Sequence, residues 1–180
     1  MDPKAILKVI LLCVVSLLCN SRFSNLHAQT DVDVKVKDVP AAIKNYINQA
    51  YPAAGKIRFF KEIINDTVLY EAAFKNKEEK YELIFLSNNQ LGSTKRQIKF
   101  GEINDTIRKK VLYDLKKRYG SFTLIKAKEI KTNADKIYEI KLKLKTPEKK
   151  GFFEIYYTDA GVFILEQEEI LKSIPANNTF

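Results

Sequence analysis

Two stretches of the chain, residues 39–98 and 103–171, follow the same order of apolar and turn residues, and internal repetition on this scale constrains a fold more than any single motif. The first stretch opens with Val39-Pro40 and places Val39, Ile43, Ile47 and Tyr51 at four-residue spacing, until Pro52 and Gly55 break the pattern. The second opens with Ile103-Asn104-Asp105 and repeats the spacing as Ile107, Val111, Leu115 and Tyr119, stopped by Gly120. That spacing lays one apolar stripe along a helix. Pro40 suits a first helical turn, and Asn104 or Asp105 suits an N-cap.

Each predicted helix is followed by four strand-like runs. They fall at about 56–64, 67–75, 80–87 and 90–98 in the first stretch, with Asn65-Asp66 and Ser87-Asn88-Asn89 as turns. In the second they fall at about 121–130, 135–145, 151–158 and 162–171. Leu69-Tyr70-Glu71 recurs as Ile137-Tyr138-Glu139, and Tyr81-Glu82-Leu83-Ile84-Phe85 recurs as Phe153-Glu154-Ile155-Tyr156-Tyr157. Alternation is clearest where Tyr138, Ile140, Leu142 and Leu144 point one way and Glu139, Lys141, Lys143 and Lys145 the other. A period of two with one polar face belongs to a sheet packed on one side, which the helix of each copy would cover. The expected class is α+β: two tandem helix-plus-four-stranded antiparallel units, residues 39–98 and 103–171. Lys99 to Glu102 join them directly, so their sheets are either packed together or continuous.

The ends read differently. Lys4 and Lys8 precede an apolar run from Val9 to Cys19, which is signal-peptide anatomy; a run this short falls below the roughly 20 residues a membrane-spanning helix needs. Residues 1–28 are read as the signal peptide, cut after Ala28. Lipidation at Cys19 is the alternative, with Leu18 where a small residue is usual. Residues 29–38 are a lead-in segment or an added edge strand, and 172–180 a flexible tail. The expected location is periplasmic or secreted.

A signal segment, helices opening at Val39-Pro40 and ending at Tyr51-Pro52 and Tyr119-Gly120, and hairpins bearing Tyr70-Glu71, Tyr81-Glu82, Tyr138-Glu139 and Phe153-Glu154 together resemble the PepSY-like, beta-lactamase-inhibitor-like family of exported bacterial proteins. The resemblance covers about residues 39–171. It implies a tandem fold whose sheet receives a protein partner, and a non-catalytic role. Unlike the inhibitor, this chain has no cysteine pair in its mature part.

Cys13, Cys19 and His27, the only cysteines and histidine, precede the cut. Without them, thiolate nucleophiles, serine–histidine triads and imidazole or thiolate metal sites are excluded, and so are disulfides. No cofactor, resident metal or nucleic-acid partner is expected. The formal net charge of +9 is spread among interleaved Lys and Glu.

The leading functional reading is a binding module that engages an exported protein or peptide through an open sheet face, inhibiting or modulating it. Phe60, Tyr156, Lys141 and Lys143 are the candidate contact residues, since one member of each aromatic doublet must face away from the core. A second reading is a carboxylate-dependent hydrolase of envelope polysaccharide using Glu71 and Glu139, or Glu82 and Glu154, which requires two carboxyls converging in a pocket. Their recurrence in both stretches equally fits cross-strand pairing with Lys. A third is polyanion binding by Lys141, Lys143, Lys145, Lys149 and Lys150. Glu166-Gln167-Glu168-Glu169 is read as a charged edge strand rather than a cation site. Asp66-Thr67-Val68 and Asp105-Thr106-Ile107 match an O-glycosylation acceptor pattern, or simply a turn and a helix cap.

Overall fold

Val39, Ile43 and Ile47 are all buried, so the four-residue stripe does become the inner face of a helix, α1 (Ala41–Ala50), with Pro40 as its N-cap. The computed structural model describes residues 32–64 and 67–169. The signal segment, the cut after Ala28, Cys19, the Asn65-Asp66 turn and the tail lie outside these residues. Four strands follow α1: β2 (Arg58–Ile64), β3 (Thr67–Asn76), β4 (Glu79–Phe85) and β5 (Leu91–Ile98). A second helix, α2 (Asp105–Tyr119), leads into β6 (Phe122–Thr132), β7 (Lys136–Lys145), β8 (Lys150–Thr158) and β9 (Phe163–Glu169). Asn104 caps α2, its Oδ1 accepting from the Thr106 N–H at 3.0 Å. Gly120 ends it at φ +63°, a conformation that suits glycine.

Val32–Val34 is a short strand, β1, paired antiparallel with β2, so of the two readings for the lead-in it is the added edge strand that forms. The nine strands of the described residues make one sheet in chain order, each antiparallel to its neighbours. Where the sequence left packed or continuous sheets open, the structure has one sheet: Ser93 to Ile98 on β5 pair with Thr132 to Ala127 on β6.

Strand alternation sorts the side chains. On one face, Ile43 and Ile47 pack on Phe59, Ala72, Phe74, Leu83 and Phe85, while Val111, Leu115 and Tyr119 pack on Tyr138, Ile140, Leu142, Leu144, Phe153, Ile155 and Tyr157. Both helices therefore lie on the same side of the sheet. None of the described helices is long and apolar enough to cross a membrane. The opposite face is left to the sheet's own side chains.

Candidate functional site

The face away from the helices carries the second set of each strand's alternating residues. The register runs across it from Phe60, opposite Glu71, through Glu71, opposite Ile84, to Glu82, opposite Lys95. In the other half, Lys128 stands opposite Glu139, and Glu139 opposite Tyr156. The halves thus place different residues at matching positions: Glu71 lies between Phe60 and Ile84, and Glu139 between Lys128 and Tyr156.

The polar version builds an ionic cluster. The Lys128 ammonium stands 2.8 Å from Glu82 Oε2 and 3.5 Å from Glu139 Oε1. Lys128 is 9% exposed and Glu139 3%, although no described helix covers them, so neighbouring side chains of the sheet do the shielding. Burial pushes the Glu139 carboxyl above its ordinary value, because Lys128 divides its attraction between two acids and Glu154 and Glu82 repel. Burial acts in the same direction on Glu82, but the nearer Lys128 outweighs it and holds that carboxyl low. Burial also works against a charged Lys128, yet Glu139 and Glu82 together keep its ammonium protonated well beyond the usual lysine range. Tyr156 donates to Glu154 Oε2 at 3.2 Å, and burial followed by the surrounding carboxylates drives its hydroxyl pKa upward.

Phe60, Tyr156, Lys141 and Lys143 all lie on this face, but not together. Tyr156 is only 6% exposed: it points away from the helix-side core, as its place in the doublet requires, yet forms part of the buried cluster rather than an open contact. Phe60 sits six strands from it, roughly 25–30 Å along the sheet at ~4.8 Å per strand. There the Arg58 guanidinium lies over its ring at 4.8 Å. Lys141 and Lys143 flank Phe152, their ammonium groups 5.6 and 5.5 Å from the ring centre, and Lys141 also pairs with Glu169.

Glu71 and Glu139, the expected acid pair, do not converge; they stand on β3 and β7. The carboxyls that meet are Glu82 and Glu139, with a lysine between them. The one depression described on this face, lined by Phe60, Glu62, Leu69, Glu71 and Ile84, has about 10 Å³ of free volume, room for roughly one water. Lys149 departs from the lysine stripe: it turns to the helix side, pairs with Glu166, and lies 5.5 Å from the Tyr119 ring. Glu166 and Glu168 face the helix side, Gln167 and Glu169 the bare face. Among the described residues no group of three or more His, Cys, Asp or Glu is arranged to hold a metal ion.

A larger cleft, about 310 Å³, opens on the helix side between Tyr51, Tyr81, Thr94, Arg96, Glu129 and Lys131. Its charges are answered from within the protein. Arg96 reaches Glu79 at 2.6 Å, Glu129 at 3.6 Å and Glu102 at 3.7 Å. Tyr81, pushed up to about 12 by burial and by donating to Glu79, leans on Tyr51 and Phe74.

Sequence reasoning missed Lys128 and the Glu82–Glu139 pairing around it. The signal available was the comparison of residues 39–98 with 103–171, which sets Lys128 in β6 where β2 has Phe60.

No family model matches the chain, and no curated protein does. Solved structures do. A DUF2874 family protein from Bacteroides uniformis is 13% identical, with a TM-score of 0.59 over 72% of this chain and 89% of that one. Another, from Bacteroides ovatus, is 14% identical, with a TM-score of 0.57 over 72% and 86%. A BLIP-like protein from Bacteroides fragilis is 13% identical, with a TM-score of 0.53 over 72% and 85%. A protein from Bacteroides eggerthii, provisionally assigned to the periplasm, is 14% identical, with a TM-score of 0.58 over 72% and 88%. At these identities the likeness is one of fold, and the fold is a BLIP-like α+β sheet.

Proposed function

We propose that this protein is a non-catalytic, exported binding module that engages a protein or peptide through the sheet face opposite its helices and thereby modulates an exported enzyme. One observation carries the reading: both helices pack on the same side of a continuous nine-stranded sheet, and no described element covers the other side. A broad, pre-formed face with an internally satisfied ionic centre is suited to rigid-body recognition, since little has to be ordered on contact. The BLIP-like fold of the Bacteroides fragilis relative supports a recognition role, although fold alone is weak ground for function. The signal-like leader and the periplasmic assignment of the Bacteroides eggerthii protein support a periplasmic or secreted location. The finer kinship with PepSY-like proteins, and descent from two tandem units, rest on the matched Tyr-Glu hairpins and on the helix-then-four-strands order of each half.

The test is affinity capture from cell-envelope extract with the immobilised protein, eluting first with salt and then with denaturant. A partner retained through high salt by the native protein and by Tyr113→Ala on α2, but lost with Phe152→Glu on the bare face, is the expected result. Equal retention by both variants would place the contact elsewhere.

A second reading, the carboxylate-dependent hydrolase, draws on the opposed directions of Glu82 and Glu139, because carboxyls pushed apart in this way serve as base and acid in other enzymes. Envelope polysaccharide cleaved by the native protein but not by Glu139→Gln would establish it in place of the first.

A further inference from the structure

The bare face is not uniformly charged, and its imbalance lies at one end. Because the strands alternate in direction, the C-terminal ends of β3 and β7 and the N-terminal ends of β4, β6 and β8 meet along the same end of the sheet. On the bare face, that end brings lysine directly opposite lysine three times: Lys75 with Lys80, Lys126 with Lys141, and Lys145 with Lys150. Like charges directly opposite one another destabilise a sheet, so three such pairs in one band are a standing cost to the fold.

The cost is relieved only in part from within: Glu154 stands opposite Lys141, and Glu82 and Glu139 act on Lys126 from beyond ion-pair distance. Lys128 has Glu82 and Glu139, and Lys141 has Glu169, but among the described residues no carboxylate stands within ion-pair distance of Lys126, Lys143, Lys145 or Lys150. Lys126 is half-buried, with Lys128 and Lys141 as cationic neighbours and Glu82 and Glu139 as acidic ones. Beside these ammonium groups lies one apolar side chain, Phe152, half-buried between Lys141 and Lys143. An aromatic anchor flanked by Lys141, which shares Glu169, and by Lys143, which has no ion-pair partner among the described residues, has the composition of a recognition hot spot for a ligand that is both acidic and apolar.

We propose that this lysine-rich end of the sheet, centred on Lys126, Lys143 and Phe152, receives an acidic segment of the partner polypeptide, its carboxylates answering the lysines and an apolar side chain meeting Phe152. The proposal rests on the binding-module reading and names the chemistry of the partner. The apolar anchor favours a polypeptide over a sulfated or phosphorylated glycan, which would need cations alone.

Fluorescence anisotropy of a labelled Glu-Glu-Phe-Glu-Glu-Phe peptide, with its Gln-for-Glu counterpart and a sulfated glycan as competitor, tests it. The acidic peptide is expected to bind and to weaken steeply with salt, and the Gln peptide not to bind. Lys126→Gln combined with Lys143→Gln should weaken the acidic peptide about tenfold, the equivalent of ~1.4 kcal/mol. Lys109→Gln with Lys117→Gln on α2 should change nothing. Equal binding of the two peptides, indifference to the Lys126/Lys143 variant, or binding of the glycan in preference to the acidic peptide would each overturn the proposal. Capture of an envelope partner undiminished by the Lys126/Lys143 variant would sink this inference and leave the module reading standing; failure to capture any partner would remove the reading itself.

Discussion

The Lys128 ammonium on β6 stands 2.8 Å from Glu82 on β4, reaching over the intervening β5 to tie a strand that follows α1 to one that follows α2. Through its longer contact with Glu139 on β7, the same ammonium brings four strands under one charge. Removing it would leave Glu139 buried without its cation. Lys128→Met should therefore destabilise the protein by about 3–5 kcal/mol, the range for breaking a buried ion pair from one side. Adding Glu82→Gln and Glu139→Gln should recover much of that loss. Urea unfolding of the single and triple variants checks this, and a loss under about 1 kcal/mol in the single variant would mean the cluster is solvated.

Acid should act on Glu166 and Glu139 with opposite signs. Burial tends to raise the Glu166 carboxyl, but hydrogen bonds from Lys149 and Tyr119 outweigh it and hold it below the ordinary value of 4.5. Its stabilising contribution is thus full above that value and lost as pH falls through the lowered one. Glu139 is raised, so its contribution is full below 4.5 and lost as pH rises through the higher value. Relative to the native protein, Glu166→Gln should become less damaging as pH drops from 7 to 3.5, and Glu139→Gln more favourable as pH rises. Unfolding midpoints at several pH values measure both differences; parallel curves for either variant would refute its assignment.

Because β5 and β6 pair continuously, a defect in one half should be felt in the other. Leu83→Ala, in the core under α1, should cost about 2–5 kcal/mol. Hydrogen exchange at the amides of β7 and β8, on the far side of the junction, should accelerate with it. Unchanged protection there would show that the halves open independently.

Gly120 closes α2 at φ +63°, and a Cβ placed there would meet nothing within 4 Å. Gly120→Ala is therefore a purely conformational change, expected to cost about 1 kcal/mol with no effect on binding. Thermal unfolding measures it.

Most of the fold could be read from residue spacing, because that spacing is itself the consequence of packing on one side. Tyr138, Ile140, Leu142 and Leu144 alternate with charges since only one face of β7 meets a helix, and Ile43 and Ile47 recur at four because only one face of α1 meets the sheet. The cluster was not legible for the same reason. Lys128 and Glu139 sit at positions whose period marks them as outward-facing, and a period of two says which face a side chain occupies but not how far neighbours fold over it. Tyr156 shows the difference: its place in the Tyr156-Tyr157 doublet puts it on the bare face, while its burial comes from side chains on other strands. The lysine stripe failed at Lys149 because the turn between β7 and β8 resets the alternation, which carries that side chain to Tyr119 instead.

The strand order, β1 to β9 without a crossover, also bears on assembly. In a chain delivered N-terminus first, each new strand arrives when its hydrogen-bonding partner is already in place, so no strand must wait for a distant one. Pairing between chain neighbours keeps contacts local, which shortens the search for the native state. It also moves the exposed edge forward one strand at a time until, among the described strands, it stands at β9, where Glu166, Glu168 and Glu169 supply charges of the kind that discourage pairing with a second chain.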